Sequence, residues 1–180
     1  MGNSHEKGKK FELEVKRIMQ DMIAKAKAEH RLRVASRPSL MGVSAEWQPD
    51  LVLMAGLLLD PSNPSLELAI VECKYVSERS KQERSKEGTY WTEMSRAYMS
   101  LNDLRLANRE GTNFFLVVNR QGESKERDYS KIFRNIGVKL VRINIPEERV
   151  EFESDINRLL EETTYNEQAK KLKHVFEQHQ

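Results

Sequence analysis

Phe11, Val15, Ile18, Met19, Met22 and Ile23 recur every three or four residues, with lysines and glutamates filling the positions between them. That spacing gathers them on one stripe of a helix and predicts a helix from about Gly8 to Glu29. Arg31 to Ala35 alternates and reads as a first strand, followed by a loop through Arg37-Pro38-Ser39 and on from Gly42 to Gln48. Two β-like runs come next, Asp50 to Leu59 and Leu66 to Val76. Between them Asp60-Pro61-Ser62-Asn63-Pro64-Ser65 supplies two prolines and several turn formers, which predicts a hairpin. Ser77 to Thr89 alternates charge and holds no apolar residue, as expected of an exposed loop or a solvated helical extension. Met94, Tyr98, Leu101 and Leu104 return to a helical period up to about Asn108, with Gly111 as a stop. Phe114 to Val118 predicts a buried strand, Tyr129 to Asn135 a short helix closed by Gly137, Val138 to Ile145 a strand ending before Pro146, and Glu153 to Gln180 a helix. The resulting order is helix, three strands, helix, strand, helix, strand, helix, without internal repeats. It predicts one α/β domain over 1–180, a mixed sheet flanked by helices, with the core at about 8–145 and a helical extension at about 153–180.

Two of these strands carry polar residues where core is expected. Leu68, Ala69, Ile70 and Val71 run into Glu72-Cys73-Lys74, and Gln48-Pro49-Asp50 opens the strand before. Side chains alternate along a strand, so Glu72 and Lys74 share one side and Cys73 takes the other. An ionised pair interrupting an apolar run is costly unless something binds it. Asp50 reaches the same place if the two strands form a hairpin. Two hard oxygen ligands with open water positions suit Mg²⁺ or Mn²⁺ better than zinc. Such a cation polarises a phosphoryl oxygen and acidifies a bound water, while a lysine orients that water or stabilises developing charge. The plain alternative is a cross-strand or solvent-facing ion pair.

Composition narrows the field. Of 180 residues, 38% are hydrophobic and 32% charged, as in a soluble globule. Lys and Arg number 30 against 28 acidic residues, so the net charge of +2 announces no global nucleic-acid field and any such surface is local. Arg31, Arg33 and Arg37 before the motif, and Arg79, Lys81, Arg84 and Lys86 after it, are candidate phosphate contacts, the second group being equally a solvated face. Trp47 and Trp91 are candidate stacking residues or core. Met41, Met54, Met94 and Met99 read as packing residues, and the four histidines suggest no ligand pair. Cys73 is the sole cysteine, which excludes an internal disulfide and argues against cysteine-based zinc. The longest apolar run, Leu51 to Leu59, is too short to span a bilayer and no signal-peptide pattern opens the chain, so an intracellular, cytoplasmic location is expected.

Pro49-Asp50 followed by Glu72-Cys73-Lys74 on the next strand, after a helix carrying Gly8, Phe11-Glu12 and Val15, resembles the PD-(D/E)xK nuclease superfamily of restriction-endonuclease-like fold. It is most similar to archaeal Holliday junction resolvases and Mrr-like endonucleases, over residues 8 to about 120. The resemblance implies an Mg²⁺-dependent endodeoxyribonuclease acting on DNA, branched or junction DNA among its candidate substrates. Asp50, Glu72 and the Cys73 main-chain carbonyl would hold the cation, and Lys74 would serve catalysis. Glu12 would support the metal or its water, with Glu14 as the rival on the other flank of the apolar stripe. The Gln that several members carry on the helix after the lysine strand is missing from Trp91 to Tyr98, where Arg96 or Tyr98 is the candidate substrate contact. Ser36 or Ser39 could match a serine near the resolvases' first strand. Cutting a duplex needs two sites, which implies a homodimer, with Leu159, Leu160, Leu172, Val175 and Phe176 either at its interface or in the monomer's core. A nuclease-like module that binds nucleic acid or a partner protein without cutting is the alternative.

Overall fold

The computed structural model describes residues 4–29, 31–55, 66–75, 87–107, 111–119 and 124–177, and their side chains apart from those of 4, 66, 87–93, 124–128 and 164–177. The first helix, α1 (Ser4–Lys25), buries Phe11, Val15, Ile18, Met19, Met22 and Ile23, the predicted stripe. It stops earlier than the expected Glu29 because Lys27 takes a left-handed conformation at φ 50°, with the Lys27 amide donating to the Ala24 carbonyl and the Ala28 amide to that of Ile23. These two bonds are the Schellman pattern that closes a helix, here with a lysine where glycine is usual.

Strand β1 (Leu32–Ser36) then pairs antiparallel with β4 (Leu51–Ala55), reached through a two-residue ribbon of β2 (Leu40–Met41) and β3 (Glu46–Trp47). β4 pairs antiparallel with β5 (Leu66–Lys74), as the hairpin reading expected, in register Leu51 with Val71. Between Leu53 and Met54 that register shifts by one, leaving Leu68 as the extra residue of a bulge. The helix α2 (Glu87–Leu106) leads to β6 (Asn113–Val118), α3 (Ser124–Asn135) to β7 (Val138–Arg142), and both later strands run parallel to β5. The sheet order is β1-β4-β5-β6-β7, a five-stranded mixed sheet flanked by helices, the coarse architecture anticipated.

Both faces are covered, so the inner strands read as continuous apolar runs. Leu51, Leu53, Ala69, Val71, Cys73, Phe115 and Val117 face α1 and the last helix, α4 (Pro146–Glu177). Val52, Met54, Ile70, Phe114, Leu116 and Val118 face α2 and α3. At the C-terminal end the expectation needs correcting: β7 stops at Arg142 and α4 begins at Pro146, not Glu153. Proline suits a first helical turn because it brings no amide needing a partner. Glu148 reaches back to accept from the Arg142 amide and from its Nε, both at 2.8 Å, which ends the strand. Phe152, Ile156, Leu159 and Leu160 are buried against α1 and the sheet, so Leu159 and Leu160 complete the monomer's core; the side chains of Leu172, Val175 and Phe176 lie outside the described set. Among the described residues, no helix is long and apolar enough to cross a membrane.

Candidate functional site

Glu72 and Lys74 are at the C-terminal end of β5, the strand where the sheet changes from antiparallel to parallel pairing. In open α/β sheets, ligands are usually bound beyond the carboxyl ends of the strands. Asp50 directly precedes β4, so the hairpin brings it beside β5: its Oδ2 accepts from the Cys73 amide at 2.8 Å. Lys74 Nζ donates to Glu72 Oε1 at 2.6 Å, the same-side arrangement that strand alternation requires, while the Cys73 side chain is packed into the α1/α4 core. Arg37 follows β1 at the same end, and its amide donates to the Asp50 carbonyl at 3.0 Å.

From α1, Glu12 Oε2 accepts from Arg37 Nη2 at 2.8 Å. The Glu12 side chain is only 14% exposed and its charge acts on Asp50, whereas Glu14 lies exposed on the helix's other flank. One turn on, Lys16 donates to Ser36 Oγ at 2.8 Å. The α1 flank therefore holds the end of β1 at two points, Ser36 and Arg37, and Arg37 adopts a left-handed backbone, φ 50°.

Burial pushes the Glu72 and Asp50 carboxyls above their ordinary range, against the pull of the Lys74 ammonium on both. Their mutual repulsion lifts Glu72 further, and the Cys73 amide restrains Asp50. Arg37 is raised by its hydrogen bond to Glu12 and also feels Asp50 and Glu72. Burial holds the Cys73 thiol well up, so it is a protonated packing group and no nucleophile.

Among the described residues, no three His, Cys, Asp or Glu side chains converge closely enough to hold a metal ion. Each acidic group has its own partner: Glu72 has Lys74, Asp50 the Cys73 amide, Glu12 Arg37. The donor set that fits a cation is therefore the Asp50 and Glu72 carboxylates, with the Cys73 carbonyl between the two motif residues. Two carboxylates that repel one another in a buried place suit Mg²⁺, which keeps several of its waters and needs few protein ligands.

The remaining candidates scatter. Arg31 directly precedes β1 and Arg33, its second residue, is opposite Met54, a strand length from the site, so of the first cationic group Arg37 alone reaches it. Arg79, Lys81, Arg84 and Lys86 lie outside the described residues, as does the Trp91 side chain. Arg96 is exposed on α2, and Tyr98 packs edge-on against Phe133 at 5.8 Å between ring centroids. Ser39 donates to Glu46 across the ribbon. Met54 and Met94 pack as expected, but Met41 and Met99 are exposed, the first on the outward side of the ribbon and the second on that of α2.

Two residues escaped the sequence reading. Lys16 carried a faint signal, four residues beyond Glu12 on the same helix flank. Asp103 carried none. It accepts from Trp47 Nε1 at 2.7 Å, from the Ser44 amide and hydroxyl and from the Ala45 amide, which hold its carboxyl below the usual range, the indole bond foremost. These bonds fasten the loop between Arg37 and Asp50 to α2, and Trp47 is used here as an anchor. Gly42 is part of the same device, since a Cβ there would fall on the Asp103 carboxylate.

No protein-family model matches the sequence, and no curated protein matches it. A solved crystal structure, that of a protein of unknown function designated AF1548, aligns at 17% identity with a TM-score of 0.40, over 73% of this chain. The chain spans 60% of that protein's length, and a likeness of this degree carries no argument about the site.

Proposed function

We propose that this protein is a divalent-metal-dependent endonuclease that hydrolyses phosphodiester bonds in DNA. The observation that carries the reading is the meeting of Asp50 with Glu72 and Lys74 at one end of the sheet, Glu72 buried and the other two partly so, where the strands are otherwise apolar. Asp50 and Glu72, with the Cys73 carbonyl, hold Mg²⁺ or Mn²⁺, which when bound polarises the phosphoryl group and acidifies a water. Lys74, paired with Glu72 at 2.6 Å, would orient that water or stabilise the charge that builds on the phosphate. Partly buried Lys16 on α1, bonded to Ser36 next to Arg37, adds local positive charge at the rim. Cutting both strands of a duplex calls for two such sites, hence a homodimer.

The test is cleavage of supercoiled, linear, single-stranded and four-way-junction DNA with Mg²⁺ or Mn²⁺, comparing wild type with Lys74→Ala. Cleavage by wild type that drops at least about a hundredfold in the variant supports the reading, in line with the effect of removing one charge-stabilising group. Equal inertness of both on every substrate sinks it. A second reading, a nucleic-acid- or protein-binding module that does not cut, draws on the pairing of each carboxylate with its own partner and the lack of a three-donor cluster among the described residues. DNA binding that neither needs a divalent cation nor changes in Asp50→Asn would favour it.

A further inference from the structure

We infer that Arg37 is the phosphate receptor of this site and that Glu12 is its positioning residue, not a ligand of the cation; the inference rests on the phosphodiester reading above. Three observations converge on it. Glu12 is committed to Arg37 at 2.8 Å, so it would have to surrender a charge-assisted bond to serve a metal. Arg37 keeps a left-handed backbone unusual for a residue with a Cβ, fixed on one side by its amide bond to Asp50 and on the other by Glu12. Strained backbone of this kind persists where surrounding contacts over-determine it, and it gathers at functional sites. Third, the side chain is 56% exposed although its charge is felt by Asp50 and its own responds to Asp50 and Glu72. The guanidinium is thus open to solvent while its charge is coupled to the carboxylate pair. Among the described residues, the guanidinium makes one hydrogen bond, from Nη2 to Glu12, and a group with five N–H donors thereby keeps a planar edge for a bidentate phosphate contact.

Were Glu12 a metal ligand, Arg37 would lose its tether.

The experiment pairs two readouts on wild type, Glu12→Gln, Arg37→Gln, Arg37→Lys and Asp50→Asn. The first is Mn²⁺ binding to the free protein by calorimetry. The second is binding to a short duplex in Ca²⁺ at several salt concentrations. Glu12→Gln is expected to bind Mn²⁺ within about threefold of wild type while Asp50→Asn loses at least about tenfold, the loss typical for a disturbed metal site. Arg37→Gln is expected to weaken DNA binding about tenfold or more and to reduce the slope of log K against log salt by about 0.9, one phosphate contact. Arg37→Lys restores the slope but not the affinity, because an ammonium lacks the fork. Glu12→Gln repeats part of the Arg37→Gln defect and adds little to it in the double variant. Mn²⁺ affinity falling as far in Glu12→Gln as in Asp50→Asn, or DNA binding unmoved in Arg37→Gln, overturns the inference. Cleavage by wild type alongside that result leaves the nuclease reading standing, whereas an Asp50→Asn protein that binds Mn²⁺ and cuts like wild type removes both.

Discussion

Replacing Lys74 by Met keeps an unbranched apolar stem one atom shorter than lysine's and deletes the charge, which isolates the interaction with Glu72. The two groups meet at 2.6 Å with side chains 22% and 12% exposed, so Glu72 would be left almost enclosed without its cation. Breaking a fully buried pair costs about 3–5 kcal/mol, and this one, open to water at the Lys74 end, is placed at about 2–3 kcal/mol. For a domain of this size that corresponds to about 5–10 °C in Tm. Removing Lys74 also raises the Glu72 carboxyl further, since the ammonium is the chief influence holding it down. The sign of the pH dependence follows. A carboxyl whose folded value lies above the unfolded one of about 4.3 is best tolerated below that value, and stability falls as pH rises through the folded value. The deficit of Lys74→Met should therefore be full near pH 7.5 and shrink on approach to pH 5. Urea and thermal melts followed by circular dichroism at both pH values measure it, and adding Glu72→Gln should recover most of the loss. A Tm equal to wild type at pH 7.5, a deficit unchanged at pH 5, or a double variant no better than the single one would refute the idea of an enclosed pair.

Other perturbations probe different links. Asp50→Asn should melt above wild type near neutral pH, because burial raises the carboxyl and its ionised form burdens the fold; the gap should close below about pH 4, where an ordinary carboxylate is itself protonated, and a constant gap would contradict it. Mn²⁺ should raise the Tm of wild type by mass action and leave that of Asp50→Asn unmoved, which differential scanning fluorimetry reads directly. Asp103→Ala should free the loop between Arg37 and Asp50, seen as faster proteolysis there and altered Trp47 emission, while far-UV circular dichroism stays the same. Phe115→Ala removes a ring seated edge-on against Phe152 at 5.2 Å and should cost about 3–5 kcal/mol in urea denaturation, a larger effect than any substitution at the rim.

The sequence by itself determined the elements that rest on periodicity. The stripe from Phe11 to Ile23 and the unbroken apolar runs at Leu51 and Phe114 each have one good way to bury their apolar side chains, whereas the proline-bearing turn expected at Asp60 to Ser65 lies outside the described residues. It also set Glu72 and Lys74 side by side, because alternation along a strand is a local rule. Element ends were less legible: Lys27 closes α1 in a conformation usually left to glycine, and the end of β7, where Glu148 takes the Arg142 amide, depends on the turn into α4. What only the tertiary structure decided is which distant groups meet. That Asp50 takes the Cys73 amide, that Glu12 is held by Arg37, and that Asp103 fastens a loop nearly sixty residues away follow from how helix and hairpin pack. Likewise Arg31, Arg33 and Arg37 look equivalent along the chain, yet one strand length separates them in space. Hydrogen bonds and charges act over a few ångströms while their partners are tens of residues apart, so pairing waits on the fold.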